Sequence, residues 1–382
     1  MSDAWPGGLT SPTTGRPLAF DTPHSLAAGG ERWLVLDGIP YLRAGSEALA
    51  AEALGLMDAG RADEAAACLL AENDPWWDEA PPPRADLIAV VRERDRLSLR
   101  EAMARLGWGR VGDYFAHRWS DPTYLATLGL LEAHWREPAS AFEIACGIGH
   151  SLRALSRAGV GDVAGGDIVF GKLWVCRHWV CPEARLICFD AERERWPMEI
   201  AADLVTCPDA FYFLQNKEAV ARRIREGARS VYAVPHVHNA QVQTFSSGAA
   251  ATAAALSEMF SDAVMYDDAE LTRAAAAGRS PTPGAVDGAE AISLVGGPGL
   301  AAPQAAVRPP ALVCPKQGTP LARNPALAGA GRIVWPSDRY RDEYGPIVTY
   351  GRSDAVPERA VMSDAVAPLV RTRDLLDLPA RW

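Results

Sequence analysis

Residues 141–155 read AFEIACGIGHSLRAL and combine three local patterns that decide the fold. A short apolar run comes first, and Gly147 and Gly149 then allow a tight turn and a close approach of the backbone to a ligand. Helical spacing begins at Leu152 and Leu155. The stretch therefore predicts a buried strand, a glycine turn and a helix whose free N–H groups point at a bound ligand.

The alternation of strands and helices continues as far as residue 234. Helical patterns separate four further strand candidates, which are DVAGGD, ARLICFD, ADLVTC and SVYAV. This order is typical of a parallel sheet with helices on its faces, where ligands bind beyond the carboxyl ends of the strands. After residue 235 the pattern predicts helices near residues 249–260 and 268–277 and a late strand within 289–295.

Acidic residues lie inside or at the end of three predicted strands. Glu143 is inside the first strand, Asp167 ends the second and Asp190 ends the third. Asp167 follows Gly147 by twenty residues, a separation at which an acid receives the two hydroxyls of a ribose. Asp190 is placed to reach the exocyclic amine of an adenine. A nicotinamide dinucleotide fits less well, because its fingerprint requires a third glycine where Leu152 stands.

Over roughly residues 110–295 these motifs resemble the class I S-adenosylmethionine-dependent methyltransferases. EIACGIGH is similar to the first motif of that family, GGDI to its ribose-binding acid, CFDAE to its adenine-contacting motif and ADLVTCPDAFYFL to its fourth motif. The resemblance implies a Rossmann-like α/β sheet of seven strands, with EAISLVG as the antiparallel last strand. One departure is Ala145, where many members have glycine.

The resemblance also implies S-adenosyl-L-methionine as the cofactor. Its expected binding residues are Glu143, Ala145, Cys146, Gly147, Gly149 and His150, then Asp167 and Ile168, Asp190 and Ala191, and Cys207 and Pro208.

Four residues beyond the fourth and fifth strands are candidate catalytic groups: Asp209, Tyr212, His236 and His238. Methyl transfer from a sulfonium needs mainly positioning, and a base where the acceptor must lose a proton. The two histidines are two positions apart in an extended segment, which places both imidazoles on one face. That spacing also suits a metal, but no third ligand follows from the sequence, and we expect none to be bound. The alternative is that both histidines are hydrogen-bonded structural groups.

A further polar and aromatic cluster precedes the first strand of the sheet. Two interpretations fit it: a lid that closes over the ligand, or a helix packed on the sheet with one solvated face. Its members are Tyr114, His117, Arg118 and Trp119.

Residues 1–45 resemble the zinc-ribbon-like module that accompanies some methyltransferases. The pattern Ser/Cys-Pro-x-x-Gly-x-Pro-Leu occurs at residues 11–18 and again at 314–321. Structural zinc needs four Cys or His ligands, whereas the first copy has no cysteine and the second has only Cys314, so the module is expected to lack metal. Two unrelated turns are the alternative.

Three further segments complete the predicted organisation. Residues 46–109 form a helical hairpin of tetratricopeptide type and a linker, and the Trp- and Pro-rich run 73–84 is a linker or an ordered surface loop. Residues 110–295 form the S-adenosylmethionine-binding domain. Residues 296–382 form a Pro/Gly-rich extension with few regular segments.

The composition of the 382 residues is that of a soluble globular protein, with 48% hydrophobic and 23% charged residues. A net charge of -10 makes nucleic acid a disfavoured partner. Seven cysteines in apolar patterns predict reduced thiols and a cytoplasmic location. No signal peptide or membrane-length apolar run is present in the sequence, so no membrane partner is expected. The oligomeric state stays open.

These observations favour methyl transfer from S-adenosylmethionine to a small-molecule acceptor by in-line attack of an O, N or C nucleophile. Three alternatives remain: a donor-binding pseudo-enzyme or scaffold that acts through a protein partner, an RNA methyltransferase, and a use of the same cofactor fold other than methyl transfer. The missing cysteines and the negative charge count against RNA.

Overall fold

The structure is a computed structural model and describes residues 5, 7–72, 79–243, 248–284, 286–303, 312–328, 332–353 and 355–382. The first part of the tryptophan-rich run, residues 73–78, therefore lies outside the described residues.

The first five strands form an antiparallel sheet in sequence order. They are β1 (Leu9–Thr10), β2 (Pro17–Thr22), β3 (Ser25–Ala28), β4 (Glu31–Leu36) and β5 (Ile39–Pro40). In its first turn, the Ser11 hydroxyl contacts the Glu31 carboxylate at 2.5 Å and accepts from the backbone N–H of Thr14. Hydroxyl and carboxylate groups thus bond to one another in this turn.

Six helices follow this sheet. They are α1 (Glu47–Asp58), α2 (Ala62–Leu70), α3 (Arg84–Glu93), α4 (Leu99–Arg105), α5 (Gly109–His117) and α6 (Pro122–Ala133). The first two form the predicted hairpin, with Gly60 in the left-handed conformation at the turn. Helix α4 begins with a capping box, in which the side chains of Ser98 and Glu101 each accept the other's backbone N–H. Helix α6 begins with Pro122, a position where the missing N–H of proline costs nothing because the first helical residues have no intrahelical acceptor.

The central sheet has seven strands in the order β11-β12-β10-β9-β6-β7-β8. Its elements are β6 (Ser140–Ile144), α7 (His150–Ala158), β7 (Asp162–Asp167), α8 (Phe170–Val175), β8 (Arg185–Cys188), β9 (Ala202–Thr206), α9 (Lys217–Gly227), β10 (Ala228–His238), α10 (Ala253–Met259), β11 (Val264–Asp267), α11 (Asp268–Ala277) and β12 (Ala291–Gly296). Strand β12 is antiparallel to both neighbours. The predicted Rossmann-like sheet with an antiparallel last strand is confirmed.

The chain after β12 adds a second small sheet, of three antiparallel strands. Its elements are β13 (Pro320–Arg323), α12 (Asp338–Tyr344), β14 (Arg359–Val361), α13 (Ala367–Arg371) and β15 (Leu375–Leu376). The two copies of the turn motif run into β2 and β13, and Gly15 and Gly318 are both left-handed. The extension thus has more regular structure than its Pro/Gly content predicts.

Both terminal parts pack onto the central sheet. The backbone N–H of Leu42 donates to the Cys188 carbonyl at 2.8 Å, so the chain after β5 extends the sheet beside β8. On the other side, the Arg153 guanidinium in α7 pairs with Asp377 near the end of the chain at 2.9 Å. None of the helices in the described part of the chain has the length and apolar character to cross a membrane.

Candidate active site

The glycine turn joins β6 to α7 at the carboxyl edge of the sheet. Gly147 and Gly149 have φ angles of 54° and 84°, in the left-handed region where glycine has no side-chain penalty. A Cβ atom on Gly149 would overlap the Sγ atom of Cys176, so the turn has no room for a side chain there. Ala145 has φ 54° as well, which explains why many members of the resembling family carry glycine at this position.

Asp167, at the end of β7, fixes the shape of this turn. Its Oδ2 atom accepts the backbone N–H of Gly147 and its Oδ1 atom accepts that of Val169, both at 2.9 Å. Each carboxylate oxygen has a second lone pair that could accept a ribose hydroxyl. The structure therefore brings Asp167 to the glycine turn, as the twenty-residue spacing predicts.

Glu143 and Thr206 present unsatisfied polar atoms beside the turn. The Oε2 atom of Glu143 and the hydroxyl of Thr206 are buried without a hydrogen-bond partner among the described residues. Burial raises the pKa of Glu143 to about 8, although Arg118 opposes this shift. Unpaired buried polar atoms are rare in folded proteins because each costs free energy, which suits a site that a polar ligand completes.

The edge beyond β8 carries the residues predicted for the adenine. Asp190 accepts the backbone N–H of Glu192 and the Nε–H of Arg193, and the Ala191 carbonyl accepts from Trp196. The carbonyl of Ile168 accepts a hydrogen bond from Arg43 at 3.2 Å. Arg43 comes from the N-terminal part of the chain and was not predicted from the sequence.

Three further predicted donor residues are buried in this region. Cys207 follows β9 and its backbone N–H donates to the Ala233 carbonyl, while Cys146 and Pro208 are buried in the loops after β6 and β9. His150 lies among aromatic rings, with its Nε2 atom 3.0 Å from the Phe115 carbonyl. Burial lowers the pKa of His150 to about 3, so its ring is neutral and serves packing.

Asp209 is the centre of a buried polar cluster after β9. Tyr114 and Tyr212 donate to its two oxygens at 2.5 and 2.8 Å, and Arg118 pairs with it at 2.8 Å. Burial raises the pKa of Asp209, but the charges of Arg118 and His236 outweigh burial and hold it below its usual value. The carboxylate is therefore ionised and heavily hydrogen-bonded.

His236 lies between two carboxylates. Its Nδ1 atom is 2.6 Å from Asp268 and its Nε2 atom is 3.6 Å from Asp209. Burial alone would lower the pKa of His236, but the charges of Asp209 and Asp268 outweigh burial, and the pKa is raised to about 9. Ser293 completes the arrangement, since its hydroxyl contacts Asp268 at 2.5 Å and accepts the His236 backbone N–H.

His238 lies beside His236, with ring centroids 4.8 Å apart, although the segment is not the regular extended strand from which this proximity was predicted. A bulge in β10 between Val234 and Val237 produces this arrangement and gives His236 a φ of 57°. The Nδ1 atom of His238 lies 3.2 Å from the Glu290 carboxylate, without the direction of a hydrogen bond. His238 also contacts the Tyr212 ring at 4.5 Å.

The predicted polar aromatic cluster before β6 lies over this region. Tyr114 and Arg118 bond to Asp209, Trp119 packs 4.1 Å from the His150 ring, and His117 packs against Tyr340.

Two groups of residues in this region were missed from the sequence. Asp121 is buried, and neither of its oxygens has a hydrogen-bond partner among the described residues. Burial raises its pKa to about 7 despite Arg118 at 3.6 Å. Tyr340 and Tyr344 of α12 meet edge to face with ring centroids 4.6 Å apart, and they lie close enough to Asp121 for its charge to raise their pKa values. An isolated Asp before a helix-starting Pro resembles an ordinary cap, so the sequence carries no signal for this arrangement.

Backbone geometry singles out the same region. Six described non-glycine residues have left-handed φ angles, and Ala145, Asp209 and His236 are three of them. Such conformations cost free energy and cluster at functional sites.

A family model described as Methyltransferase domain matches residues 142–230. No curated protein matches the sequence. Together with the strand order and the glycine turn, the match shows that the chain contains a class I S-adenosylmethionine-dependent methyltransferase domain, with S-adenosylmethionine as the methyl donor.

Solved structures that the chain resembles include three methyltransferases. An amino pentose methyltransferase of calicheamicin biosynthesis from Micromonospora echinaspora is 15% identical, with 47% of this chain and 91% of that chain covered and a TM-score of 0.32. A possible histamine N-methyltransferase from Thermotoga maritima is 13% identical, with coverages of 52% and 98% and a TM-score of 0.36. Phosphoethanolamine N-methyltransferase 2 from Haemonchus contortus is 16% identical, with coverages of 45% and 46% and a TM-score of 0.36.

The polar groups around the turn fit this donor. The free lone pairs of Asp167 suit ribose hydroxyls, and the unpaired atoms of Glu143 and Thr206 suit the polar methionine part. The Phe115 ring lies over Gly147, since a Cβ on this glycine would be 3.3 Å from the ring.

Proposed function

We propose that the protein transfers the methyl group of S-adenosylmethionine to a small-molecule acceptor whose O, N or C nucleophile attacks in line. The observation that carries this proposal is the buried cluster formed by Asp209, which follows β9, and by His236 and His238, which are the last histidines of β10 and lie inside that strand. It lies at the same edge of the sheet as the glycine turn, where an acceptor would meet the donor.

The bound donor supplies an activated sulfonium methyl group, so the chain's own residues have mainly to position the reactants and exclude water. In the proposed site Asp167 orients the ribose and Asp190 receives the adenine. Tyr114 and Phe115 of α5 cover the turn on the solvent side, because Tyr114 reaches Asp209 and the Phe115 ring lies near Gly147.

Among the four candidate catalytic residues, His238 suits a general base best. His236, with a pKa of about 9, carries its proton at neutral pH. Asp209 is surrounded by donors, and burial raises the pKa of Tyr212 well above its usual value. His238 is the candidate that remains, and its Nδ1 atom lies 3.2 Å from one carboxylate, that of Glu290.

The test is release of S-adenosylhomocysteine during incubation with a panel of small amines, phenols and carbon acids. We expect His238→Gln to lower turnover about 100-fold or more with an acceptor that must lose a proton, while donor affinity stays unchanged. His24→Gln is the matched control, since His24 also faces a carboxylate, Asp58, but lies on the N-terminal sheet. Full activity of His238→Gln would show that His238 is not a general base and has only a structural role.

The same assay separates the alternatives. Tight donor binding with no release for any acceptor would favour a scaffold that acts through a protein partner. Release that depends on added RNA and falls steeply with salt would favour an RNA methyltransferase. Either result would contradict the proposal.

A further inference from the structure

A cavity lies between α6, α7 and the C-terminal extension. Its volume is about 150 Å³. Apolar side chains line part of it, including Leu128, Val313 and Val370, and Trp119 and Tyr124 line the side next to His150. None of the predicted donor residues is among the described residues that line it.

The charged residues around the cavity are strongly unbalanced. Among the described residues that line it, Asp377 is the only acid, whereas four residues are cationic: Arg153, Arg157, Lys316 and Arg373. Asp377 pairs with Arg153 at 2.9 Å and with Arg157 at 2.5 Å, so one carboxylate is shared between two guanidinium groups. The lining therefore has three positive charges in excess, in a chain whose net charge is -10.

Arg373 is the most unusual of these cations. It is 4% exposed, and burial lowers the pKa of its guanidinium. Its Nε–H donates to the Trp119 carbonyl at 2.9 Å, and its charge lies 5.6 Å from the centre of the Tyr124 ring. No carboxylate in the described part of the chain lies within ion-pair distance of it. Burying a cation without such a partner is costly unless a ligand compensates it.

The backbone of Arg373 is also strained. Its φ of 63° is in the left-handed region, which a long side chain rarely adopts. The surrounding structure therefore maintains an unfavourable backbone conformation that holds this guanidinium at the cavity, as happens at ligand sites.

We propose that this cavity binds the phosphate group of a small phosphomonoester. Guanidinium groups match phosphate oxygens with paired N–H donors, and a dianion offsets the excess charge better than a carboxylate does. The exposed Lys316 and the Thr319 side chain border the cavity and can add further donors. The apolar lining leaves room for a short carbon skeleton. This inference is independent of the acceptor proposed for the active site.

The cavity adjoins the donor turn through direct contacts. The Tyr124 hydroxyl donates to the His150 carbonyl at 3.1 Å, and Arg153 lies one turn further along the same helix. A bound phosphomonoester would thus lie against the first turns of α7.

The test is calorimetry of the full-length protein with glycerol phosphate, inorganic phosphate and acetate. We expect both phosphates to bind and acetate to bind at least about tenfold more weakly. Lys316→Gln should weaken phosphate binding about tenfold and Lys316→Glu should abolish it, and both should fold because Lys316 is exposed. Arg222→Glu on α9 is the matched control, since it reverses an exposed charge outside the cavity and should leave binding unchanged.

Four outcomes would overturn the inference. They are no phosphate binding, equal affinity for acetate and phosphate, unchanged phosphate binding in Lys316→Glu, and an equal loss of binding in Arg222→Glu.

Discussion

Two acids on neighbouring strands show how the environment of a residue sets its role. Asp167 accepts backbone N–H bonds from Gly147 and Val169, so its charge is stabilised by dipoles that the turn already provides. Glu143 is inside β6 with one oxygen unpaired, and burial raises its pKa to about 8. The first residue accepts hydrogen bonds from the backbone, and the second carries a proton at neutral pH.

Replacing Asp167 tests the donor site directly. Asp167→Ala should weaken S-adenosylmethionine binding by about 1–3 kcal/mol, because the charge-assisted hydrogen bonds to the ribose are lost. Calorimetric titration measures this change. Asp162→Ala is the control, since Asp162 is at the start of β7, at the opposite end of the strand from Asp167, where it pairs with Arg185. Unchanged donor affinity in a folded Asp167→Ala protein would show that the ribose binds elsewhere.

The raised pKa of Glu143 predicts a pH-dependent stability. The folded protein keeps this proton up to a pH of about 8, whereas the unfolded chain loses it near the ordinary value of 4.5. The folded state therefore binds more protons across this window, and the free energy of unfolding falls as pH rises through it.

Glu143→Gln removes this titration and mimics the protonated carboxyl. We expect the variant to gain stability relative to the parent between pH 5 and pH 8, by more than about 1 kcal/mol at the upper end. Urea unfolding at several pH values measures the difference. An identical pH dependence in both proteins would mean that Glu143 is ionised in the folded state.

At the residue scale the sequence located the groups that follow strands, because strand ends and glycine spacing are local patterns. Asp167 bonds to the glycine turn, and Asp209 lies 3.6 Å from His236 and 2.8 Å from Arg118. Asp121 and Tyr340 were not predicted, since their proximity arises from a C-terminal helix that packs more than 200 residues away from α6 in sequence.

Among the elements, the turn between β6 and α7 is the most constrained. Gly149→Ala should destabilise the protein by about 2 kcal/mol or more for two reasons. The alanine would have to adopt the left-handed φ of Gly149, and its Cβ would overlap the Sγ atom of Cys176. Gly55→Ala on α1 is the control, because its Cβ would meet no atom within 4 Å and alanine favours helices.

A second variant separates the two causes. In a Cys176→Ala background the overlap with Sγ disappears while the φ strain remains, so Gly149→Ala should cost less than in the parent. Chemical unfolding measures all four proteins of this cycle. An equal cost in both backgrounds would show that backbone strain alone explains the requirement for glycine.

The strands of the central sheet differ in how far their sequences predict them. Buried parallel strands such as β6 and β9 are short apolar runs, and these were predicted. Strand β11 was missed, because its four residues lie in the polar run DAVMYDDAE and only Tyr266 is fully buried. Its pairing with β12 depends on a partner some 25 residues later, which no local pattern encodes.

Across the whole molecule, the four predicted segments share a continuous hydrophobic core. One buried cluster contains Tyr41 from the N-terminal part, Leu69 from the hairpin, Leu155 from α7 and Leu375 from the last strand. Polar contacts cross the same boundaries, since the Ser120 hydroxyl donates to Asn324 at 2.9 Å. Composition marks the ends of the segments, but it does not report that each segment buries its apolar face against the others.

A shared core predicts cooperative unfolding of the whole chain. We expect far-UV circular dichroism, near-UV circular dichroism and tryptophan fluorescence to give coincident guanidinium transitions, and calorimetric and van't Hoff enthalpies to agree. Chains of this length often unfold through intermediates, so coincidence would be informative. Trp33 reports on the N-terminal sheet and Trp382 on the C-terminal end, and the corresponding Phe variants assign their signals. An early transition of either signal, before the loss of near-UV dichroism, would show that a terminal part folds as a separate unit on the methyltransferase sheet.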